Sequence, residues 1–338
     1  RSGSKPAQDQ GRLALPARSA NPNLPPMNPL KEAQASLPTE RVEVRPGRVL
    51  AVHHRAGRVI HGRPGDVVIF VHGSCASLVH WRAQIEHFQA AGFAIVAYDF
   101  LGCGRSAKPH SWDAYAFDEL YQDLVAVARR YGAGETSSRR NFVLAHSLGC
   151  SLALRLAAEW GTNGVSVAAL ALLGATDVVP AAAASPLFRL PLCLLDRLQP
   201  LLSAGFEVRA LHEETREGKT AAHRSLLELS KACNGANPMF MCKAYYRQLE
   251  VPTAHQLALV RAPALLLCGE QDLLVPLDSS TRLQALLPSA ELHVLPRTAH
   301  QMMQEQPEAV NAALDAFFSS CGHSNGSSNS VLRPPPPY

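Results

Sequence analysis

The chain has 338 residues, and its 32 Lys and Arg against 28 Asp and Glu give a formal net charge of +4 at pH 7. Hydrophobic residues make up 47% and charged residues 18%, a composition that can fill a large core and that excludes an intrinsically disordered protein. The small charge, without a block of Lys and Arg, argues against nucleic acid as a partner. The longest apolar stretches are far shorter than the ~20 residues that span a bilayer, so no transmembrane helix is predicted.

The eight cysteines bear on the cellular compartment. They lack the C-x-x-C spacing of metal sites, and several stand within apolar runs, which favours reduced thiols over a disulfide framework. We therefore expect a cytoplasmic protein without a bound metal, with membrane association left open. Because the chain begins with Arg1 rather than Met, the absence of a signal peptide carries no argument.

Both ends of the chain are rich in proline and poor in hydrophobic periodicity. Seven of the 25 prolines lie in the first 38 residues, and four lie in the last five. Such segments bury too little apolar surface to offset the entropy that is lost on ordering. Disorder is therefore predicted over residues 1–40 and 320–338.

From residue 41 onward, β-branched runs alternate with helical patterns. Runs at 41–44 and 49–53 flank a Pro-Gly turn and predict a hairpin. Strands covered on both faces are predicted at 67–71, 94–98, 142–145, 167–173, 264–268 and 292–295. Helices are predicted at 81–91, 117–131, 148–160, 279–287 and 309–318. This alternation predicts an α/β fold with a mostly parallel central sheet flanked by helices, built from residues 41–177 and 261–319.

The segment between these two parts, residues 178–260, shows helical patterns and no convincing strand. It is predicted to form an inserted helical cap. Its helices are expected to break at the prolines, which are Pro180, Pro186, Pro191, Pro200 and Pro238.

Leucines spaced three or four residues apart mark the first half of the cap. Most of them are interpreted as packing between cap and core, and a minority as the lining of an acyl tunnel. With Arg189, Arg197 and Arg209 nearby, peripheral contact of the cap with an anionic membrane surface is a hypothesis. The leucines are Leu187, Leu190, Leu194, Leu195, Leu198, Leu201 and Leu202.

A serine at a strand-to-helix junction is the candidate nucleophile. The strand at 142–145 runs into a helical pattern, so Ser147 lies on the tight turn between them, after His146. Such a turn lifts the serine Oγ clear of the sheet and requires small neighbours, here Ala145 and Gly149. Ala145 departs from the usual G-x-S-x-G pattern. The competing interpretation is that Ser147 only caps the helix.

Two later strand-like runs end in the residue types that a nucleophilic serine needs. Asp272 follows the run at 264–268, and His300 follows the run at 292–295. An imidazole takes the serine proton and a carboxylate orients the imidazole, in the chain order serine, acid, histidine. Asp272 and His300 are therefore the predicted acid and base, with Asp177 as the alternative acid.

A loop of small residues is the candidate oxyanion hole. The strand predicted at 67–71 runs into His72, Gly73 and this loop. Backbone N–H groups placed near the nucleophile stabilise a developing oxyanion. The predicted donors are the N–H groups of Ser74 and Leu148.

At these positions the chain resembles the α/β-hydrolase superfamily. The matching segments are His72-Gly73, the turn from Asp99 to Ser106, the Ser147 elbow, Gly269 to Asp272, and Ala299-His300. The resemblance implies an α/β-hydrolase fold with an inserted cap. It further implies a eukaryotic intracellular serine hydrolase. The acyl-transfer mechanism expected of such a site requires no metal and no organic cofactor.

The predicted reaction is the hydrolysis of a carboxylic ester through an acyl-enzyme. His300, oriented by Asp272, removes the Ser147 proton, Oγ attacks the carbonyl, and water then releases the acyl group. The leucine-rich cap indicates a lipid-like or otherwise apolar acyl group. Epoxide hydrolases and dehalogenases of this superfamily carry aspartate at the elbow, so the serine at position 147 argues against both classes. Acyltransferase members carry a His-x-x-x-x-Asp pattern at the catalytic histidine, whereas here Glu305 stands five positions after His300. The alternative is a non-catalytic interaction protein on the same fold.

Three cysteines and one aspartate fall in segments expected to converge on the pocket. Cys75, Cys103 and Cys150 are interpreted mainly as small residues, with a redox-sensitive or alkylation-sensitive site as the minority hypothesis. Asp99 is interpreted as shaping its glycine-rich turn rather than entering the reaction.

The last four residues form a short proline motif. Pro335-Pro336-Pro337-Tyr338 fits the Pro-Pro-x-Tyr form that WW domains bind through a preformed polyproline helix. Such motifs also occur freely in disordered tails. Contact with a WW domain is therefore kept as a hypothesis.

Overall fold

The computed structural model describes residues 28–60, 63–179 and 185–323. The strands predicted from the sequence lie within two residues of their expected bounds. In chain order the strands are β1 (Glu40–Arg45), β2 (Arg48–Arg55), β3 (Val59–Ile60), β4 (Arg63–Pro64), β5 (Val67–Val71), β6 (Ala94–Tyr98), β7 (Asn141–His146), β8 (Ala169–Leu173), β9 (Ala264–Gly269) and β10 (Ala290–Leu295).

Eight of these strands form one sheet in the order β1-β2-β6-β5-β7-β8-β9-β10, and β3 pairs separately with β4. The pairs β1-β2 and β2-β6 are antiparallel, and the other pairs of the sheet are parallel. The predicted α/β architecture with a mostly parallel sheet is thereby confirmed. In parallel sheets the carboxyl ends of the strands share one edge, where residues that follow different strands can meet.

The helices surround this sheet. In chain order the α-helices are α1 (Pro29–Ser36), α2 (Arg82–Ala90), α3 (Phe117–Tyr131), α4 (Leu148–Ala158), α5 (Trp160–Asn163), α6 (Leu192–Ala210), α7 (Glu213–Arg216), α8 (Ala221–Gly235), α9 (Met239–Arg247), α10 (Ala254–Leu259), α11 (Leu277–Leu286), α12 (Met302–Glu305) and α13 (Pro307–His323). Three 3-10 helices are η1 (Leu78–Trp81), η2 (Asp113–Tyr115) and η3 (Pro186–Arg189).

The core has one layer on each face of the sheet. Along β5, Ile69 belongs to the layer that includes Leu124 of α3, and Phe70 belongs to the layer that includes Phe88 of α2. Successive side chains of a strand point to opposite faces, so a strand covered on both sides has no polar positions. This explains why the inner strands appear in the sequence as unbroken apolar runs.

The N-terminal segment corrects one prediction. Helix α1 occupies part of residues 1–40, which were expected to be disordered. Asn28 Oδ1 accepts a hydrogen bond of 2.9 Å from the Leu30 N–H, and Pro29 stands at the first helical position, where proline is tolerated. Ala33 and Leu37 are buried, and α1 packs against α8, so tertiary contacts stabilise the helix. Helix α13 likewise continues to His323, beyond the predicted tail boundary at residue 320.

The cap contains helices between β8 and β9, and no strand lies within residues 185–260. Pro186, Pro191 and Pro238 stand at helix starts, as expected of prolines. The predicted break at Pro200 is wrong, because α6 continues through it. Pro200 is exposed, so water can reach the carbonyl group that loses its N–H partner. Pro180 lies outside the described residues.

A buried ion-pair cluster fixes the β1-β2 hairpin to helix α3. Arg48 donates from Nε to Asp123 Oδ1 at 2.9 Å and pairs closely with Oδ2 through its terminal nitrogen. Arg45 donates to the same carboxylate at 3.0 Å and to Glu119 at 2.6 Å. Arg48 and Asp123 are both buried, so each depends on the other for charge compensation.

Within residues 28–60, 63–179 and 185–323, no helix is long and apolar enough to cross a membrane.

Candidate active site

Ser147 lies on a strained turn between strand β7 and helix α4. Its φ of 53° and ψ of −122° fall in a region that residues with a side chain rarely adopt. Its backbone N–H donates to Leu173 O at 2.9 Å, which anchors the turn to strand β8. The Ser147 side chain makes no capping hydrogen bond to α4, so the interpretation of this serine as a helix cap is wrong.

Two glycines allow the turn to approach the sheet. A Cβ atom on Gly149 would lie 2.5 Å from Val71 O and 2.6 Å from His72 O. A Cβ atom on Gly73 would lie 3.0 Å from the Ser147 Cβ. Ala145 is fully buried in β7, which pairs with β5 and β8. Close backbone contacts explain the small residue expected at Gly149, whereas Ala145 is explained by burial alone.

The predicted acid and base are hydrogen-bonded to each other. His300 Nδ1 lies 2.7 Å from Asp272 Oδ2, and both side chains are buried. The other carboxylate oxygen, Oδ1, accepts from the backbone N–H groups of Leu274 at 2.9 Å and Val275 at 2.8 Å. Because a carboxylate only accepts, His300 carries its proton on Nδ1, and Nε2 is left as the basic nitrogen.

The alternative acid has a different partner. Asp177 forms a bidentate pair with Arg282, with N–O distances of 2.9 and 3.0 Å. Asp99 accepts hydrogen bonds from Ser77 Oγ at 2.7 Å and from the Leu78 N–H at 2.8 Å, and it also accepts from the Arg105 N–H. Asp99 thus shapes its turn, as interpreted from the sequence.

Ser147 and His300 line the same cavity. Among the described residues, Asp272 is the only hydrogen-bond partner of the His300 ring. Serine–histidine hydrogen bonds are often long before substrate binds and shorten in the complex. The structure thus contains a buried carboxylate–imidazole pair, and the elbow serine lines the same cavity.

Two further histidines are buried and hydrogen-bond backbone atoms around the site. His146 Nε2 donates to the His300 carbonyl oxygen at 2.9 Å, and burial together with the nearby His300 lowers the pKa of His146 well below its usual value. His72 Nδ1 donates to Gly73 O at 2.7 Å, while its Nε2 accepts from the Phe100 N–H at 2.9 Å. Burial lowers the pKa of His72 to about 4, so its ring is neutral at pH 7.

The candidate oxyanion loop is held by the cap. Ser74 and Leu148 line the cavity beside Ser147, and Cys75 has a φ of 55°. Asn237, between α8 and α9, donates from Nδ2 to the Cys75 carbonyl oxygen at 2.6 Å. The two residues are 162 positions apart in sequence, so no local pattern indicates this contact. Sequence analysis accordingly missed Asn237.

The cavity between cap and core has a volume of about 250 Å³. Its cap wall combines apolar side chains such as Phe188, Phe206 and Met239 with polar ones such as Arg209 and Ser230, and His80 and Gln301 line the cavity from the core. Sequence analysis missed His80 and Gln301, although Gln301 directly follows His300. Among the described residues, no group of three or more His, Cys, Asp or Glu side chains is arranged to hold a metal ion.

Residues 66–307, more than half of the chain, match the family model described as the alpha/beta hydrolase fold. The chain belongs to the alpha/beta hydrolase family. Protein ABHD8 of Bos taurus is 30% identical to it over 321 residues, covering 94% of this chain and 70% of that protein. Protein ABHD8 of Homo sapiens is 31% identical over 260 residues, covering 76% of this chain and 56% of that protein. This alpha/beta hydrolase chain therefore spans little more than half the length of its human relative.

Solved structures of other proteins share the fold. A thermophilic esterase from Thermogutta terrifontis matches with a TM-score of 0.67 and 21% identity, covering 83% of this chain and 99% of that chain. A putative aryl esterase from Burkholderia cenocepacia matches with a TM-score of 0.66 and 24% identity, covering 84% of this chain and 98% of that chain. The predicted α/β-hydrolase fold is thereby confirmed.

The cap leucines of this alpha/beta hydrolase have several environments. Leu195 is fully buried, and Leu187 and Leu202 line the cavity. Leu194 and Leu201, seven residues apart on α6, are exposed on one face together with Val208. Contact of this face with a membrane stays a prediction.

The three cysteines near the pocket are free thiols. Cys75 lines the cavity, and its hydrogen bond with Cys242 and its burial raise its pKa well above the usual value. Burial raises the pKa of Cys103 to about 12 and also raises the pKa of Cys150. Raised pKa values disfavour the reactive thiolate, so small-residue packing explains Cys103 and Cys150 better than redox sensing does.

The C-terminal Pro335-Pro336-Pro337-Tyr338 motif lies outside the described residues. Its contact with a WW domain stays a prediction.

Proposed function

We propose that this alpha/beta hydrolase is a serine hydrolase that cleaves carboxylic esters with a lipid-like or otherwise apolar acyl group. The observation that carries this proposal is the 2.7 Å hydrogen bond between His300 and Asp272, beside an elbow serine on the same cavity. A carboxylate buried against an imidazole in this way orients the ring and stabilises its protonated form during the reaction.

The proposed reaction begins with proton transfer from Ser147 Oγ to His300 Nε2. Oγ attacks the ester carbonyl, and the resulting oxyanion accepts hydrogen bonds from the N–H groups of Ser74 and Leu148. Leu148 is the first residue of α4, so the positive end of the helix dipole adds to this stabilisation. His300 then protonates the leaving alcohol, and a water molecule activated by the same ring releases the acyl group.

The cap wall supports an apolar acyl group in the substrate. Aromatic and aliphatic side chains of α6, α9 and the segment after α9 line the cavity opposite Ser147, namely Leu202, Phe206, Met239, Leu249 and Val251. Apolar walls of this kind bind hydrocarbon chains by removing their surface from water. We further propose a cytoplasmic location, with α6 providing any contact to a membrane surface.

The proposal is tested by replacing the nucleophile. Ser147→Ala should abolish hydrolysis of p-nitrophenyl butanoate and covalent labelling by a fluorophosphonate probe, because it removes the hydroxyl group that forms the proposed acyl-enzyme. Ser151→Ala, on the same helix and the same cavity wall, should retain labelling. Absence of labelling in the folded native protein would instead favour the alternative, a non-catalytic interaction protein on this fold.

A further inference from the structure

Three buried side chains on the core side of the cavity carry polar atoms without a hydrogen-bond partner among the described residues: His80, Gln301 and, at Nδ1, the elbow residue His146. His80, at the end of η1, is 7% exposed, and Gln301, just before α12, is 3% exposed. Both ring nitrogens of His80 and the Oε1 atom of Gln301 accept and donate no hydrogen bond. Both residues line the cavity that contains Ser147 and His300.

The charge state of His80 limits what it can bind. Burial, reinforced by the nearby His72, lowers the pKa of His80 to about 3. The ring is therefore neutral at pH 7 and presents one N–H donor and one acceptor nitrogen. Its histidine neighbours in the core, His72 and His146, also have lowered pKa values, so they bring no positive charge to the site. Among the described residues of this core wall, an anionic ligand group would find no counter-charge; Arg209, which also lines the cavity, belongs to the cap helix α6.

Unpaired polar atoms of this kind are uncommon in protein cores. Most buried donors and acceptors are hydrogen-bonded, and an unsatisfied group destabilises the folded chain. Gln301 is held in place by its backbone N–H, which donates to Ala210 O at 3.2 Å, and it is adjacent to the candidate base. Polar groups that converge on a largely apolar cavity usually fix the orientation of a ligand.

We propose that His80 and Gln301 form a polar subsite that hydrogen-bonds an uncharged hydroxyl group of the substrate. This inference rests on the proposed ester hydrolysis and narrows its substrate class. The substrate is an ester with an apolar acyl chain and a hydroxyl group close to the scissile carbonyl. His80 and Gln301 together supply a donor and acceptors, which match a hydroxyl group that both donates and accepts.

The test measures binding to the Ser147→Ala protein, which cannot turn over an ester. Two isosteric pairs place the hydroxyl on either side of the ester: 2-hydroxyethyl octanoate against propyl octanoate, and ethyl 3-hydroxyoctanoate against ethyl 3-methyloctanoate. Calorimetry should give a Kd about tenfold lower for the hydroxylated member of at least one pair, because the hydroxyl pairs with groups that are otherwise unsatisfied.

Second substitutions in the Ser147→Ala background assign this preference. His80→Leu and Gln301→Leu should each remove most of it, whereas His80→Asn, which keeps a donor and an acceptor, should retain part. His293→Leu, at an exposed position on edge strand β10, is the matched control and should keep the full preference. The His80→Leu protein should also melt at or above the temperature of its parent, since it no longer buries unpaired nitrogens.

The inference is overturned if neither pair shows a preference, or if the preference survives both leucine substitutions. A fall in melting temperature with equal loss of affinity for all four esters would assign His80 a structural role instead. Failure of the proposed hydrolysis has a separate signature, the absence of fluorophosphonate labelling of the native protein. The binding measurement remains decisive in that case, because it does not depend on turnover.

Discussion

The orientation of the His300 ring depends on contacts from two distant parts of the chain. Asp272 accepts from Nδ1, and His146 donates to the His300 backbone oxygen. The His146 and His300 rings lie 4.6 Å apart, so they also pack against each other. Because ring and backbone are both held, the position of Nε2 is fixed, which in the proposed mechanism lowers the reorganisation needed for proton transfer.

The hydrogen bond between Asp272 and His300 can be tested by substituting the carboxylate. Asp272→Asn should lower the kcat for p-nitrophenyl butanoate by three to four powers of ten (about 10³ to 10⁴), because the amide favours the wrong tautomer of His300. Asp177→Asn is the control, since that residue pairs with Arg282, and its kcat should stay within about twofold of the native value. A large loss in the Asp177→Asn protein would contradict the assignment of the acid.

Some residues of the candidate site can be predicted from the sequence, and others cannot. Ser147, Asp272 and His300 are predictable because each follows a strand, and parallel strands bring their carboxyl ends to one edge. The contacts of His80 and Asn237 depend on how the cap and η1 pack over that edge. Nothing in the neighbouring residues specifies such packing, so these two positions could not be predicted.

At the scale of elements, the cap and the core meet at the oxyanion loop. The Cys75 carbonyl oxygen accepts from Asn237, and the left-handed backbone of Cys75 costs free energy that surrounding contacts must offset. The loop that carries the candidate donor Ser74 is thus fixed from above by the cap.

Removal of this contact should impair the chemical step. Asn237→Ala should lower kcat for p-nitrophenyl butanoate by about tenfold with little change in KM, because a displaced oxyanion donor stabilises the transition state less well. Asn311→Ala, on α13 away from the cavity, is the control and should leave kcat unchanged. A rise in KM at constant kcat would mean that Asn237 acts on substrate binding instead.

The hairpin and α3 are joined by buried charges, which leads to a stability prediction. Asp123→Ala should lower the free energy of unfolding by about 3 to 5 kcal/mol, because it leaves the buried Arg48 without its counter-charge. Asp118→Ala removes an exposed carboxylate of the same helix that pairs with Arg155, and it should cost at most about 1 kcal/mol. Urea denaturation measures both; similar losses would disprove the role of burial.

Elements also differ in predictability. The inner strands are fixed by their apolar runs, whereas β3 and β4 have two residues each and produce no periodic pattern. Helix α1 escaped prediction because prolines surround it, although its own residues include good helix formers that follow an asparagine cap. Packing on α8 adds the tertiary contact that so short a helix needs.

At the scale of the whole molecule, folding requires several histidines to enter the core uncharged. Burial lowers the pKa of His72 to about 4 and that of His80 to about 3. In an unfolded chain a histidine titrates near ~6.5. Between these folded-state pKa values and about 6.5, the unfolded state therefore binds more protons than the folded state does. Acid consequently favours unfolding.

The free energy of unfolding should accordingly be highest above about pH 6.5 and fall as the pH drops toward 4, by about 1 kcal/mol per pH unit for each of these histidines. Urea denaturation at pH 7.5, 6 and 5 measures the slope. His80→Leu removes one titrating group, so the change of its unfolding free energy with pH should be smaller by about 1 kcal/mol per pH unit. An unchanged slope would show that His80 is charged in the folded state.

The hydrogen bond from Asn237 to Cys75 has a consequence for engineering. Helical caps are commonly treated as exchangeable modules that select the substrate while the core supplies the chemistry. Here a donor from the cap fixes backbone near the candidate nucleophile, so we expect a graft that lacks an equivalent amide to slow turnover even of substrates that it fits. If the proposed hydrolysis holds, specificity and rate are coupled in this scaffold, and redesign has to treat them together.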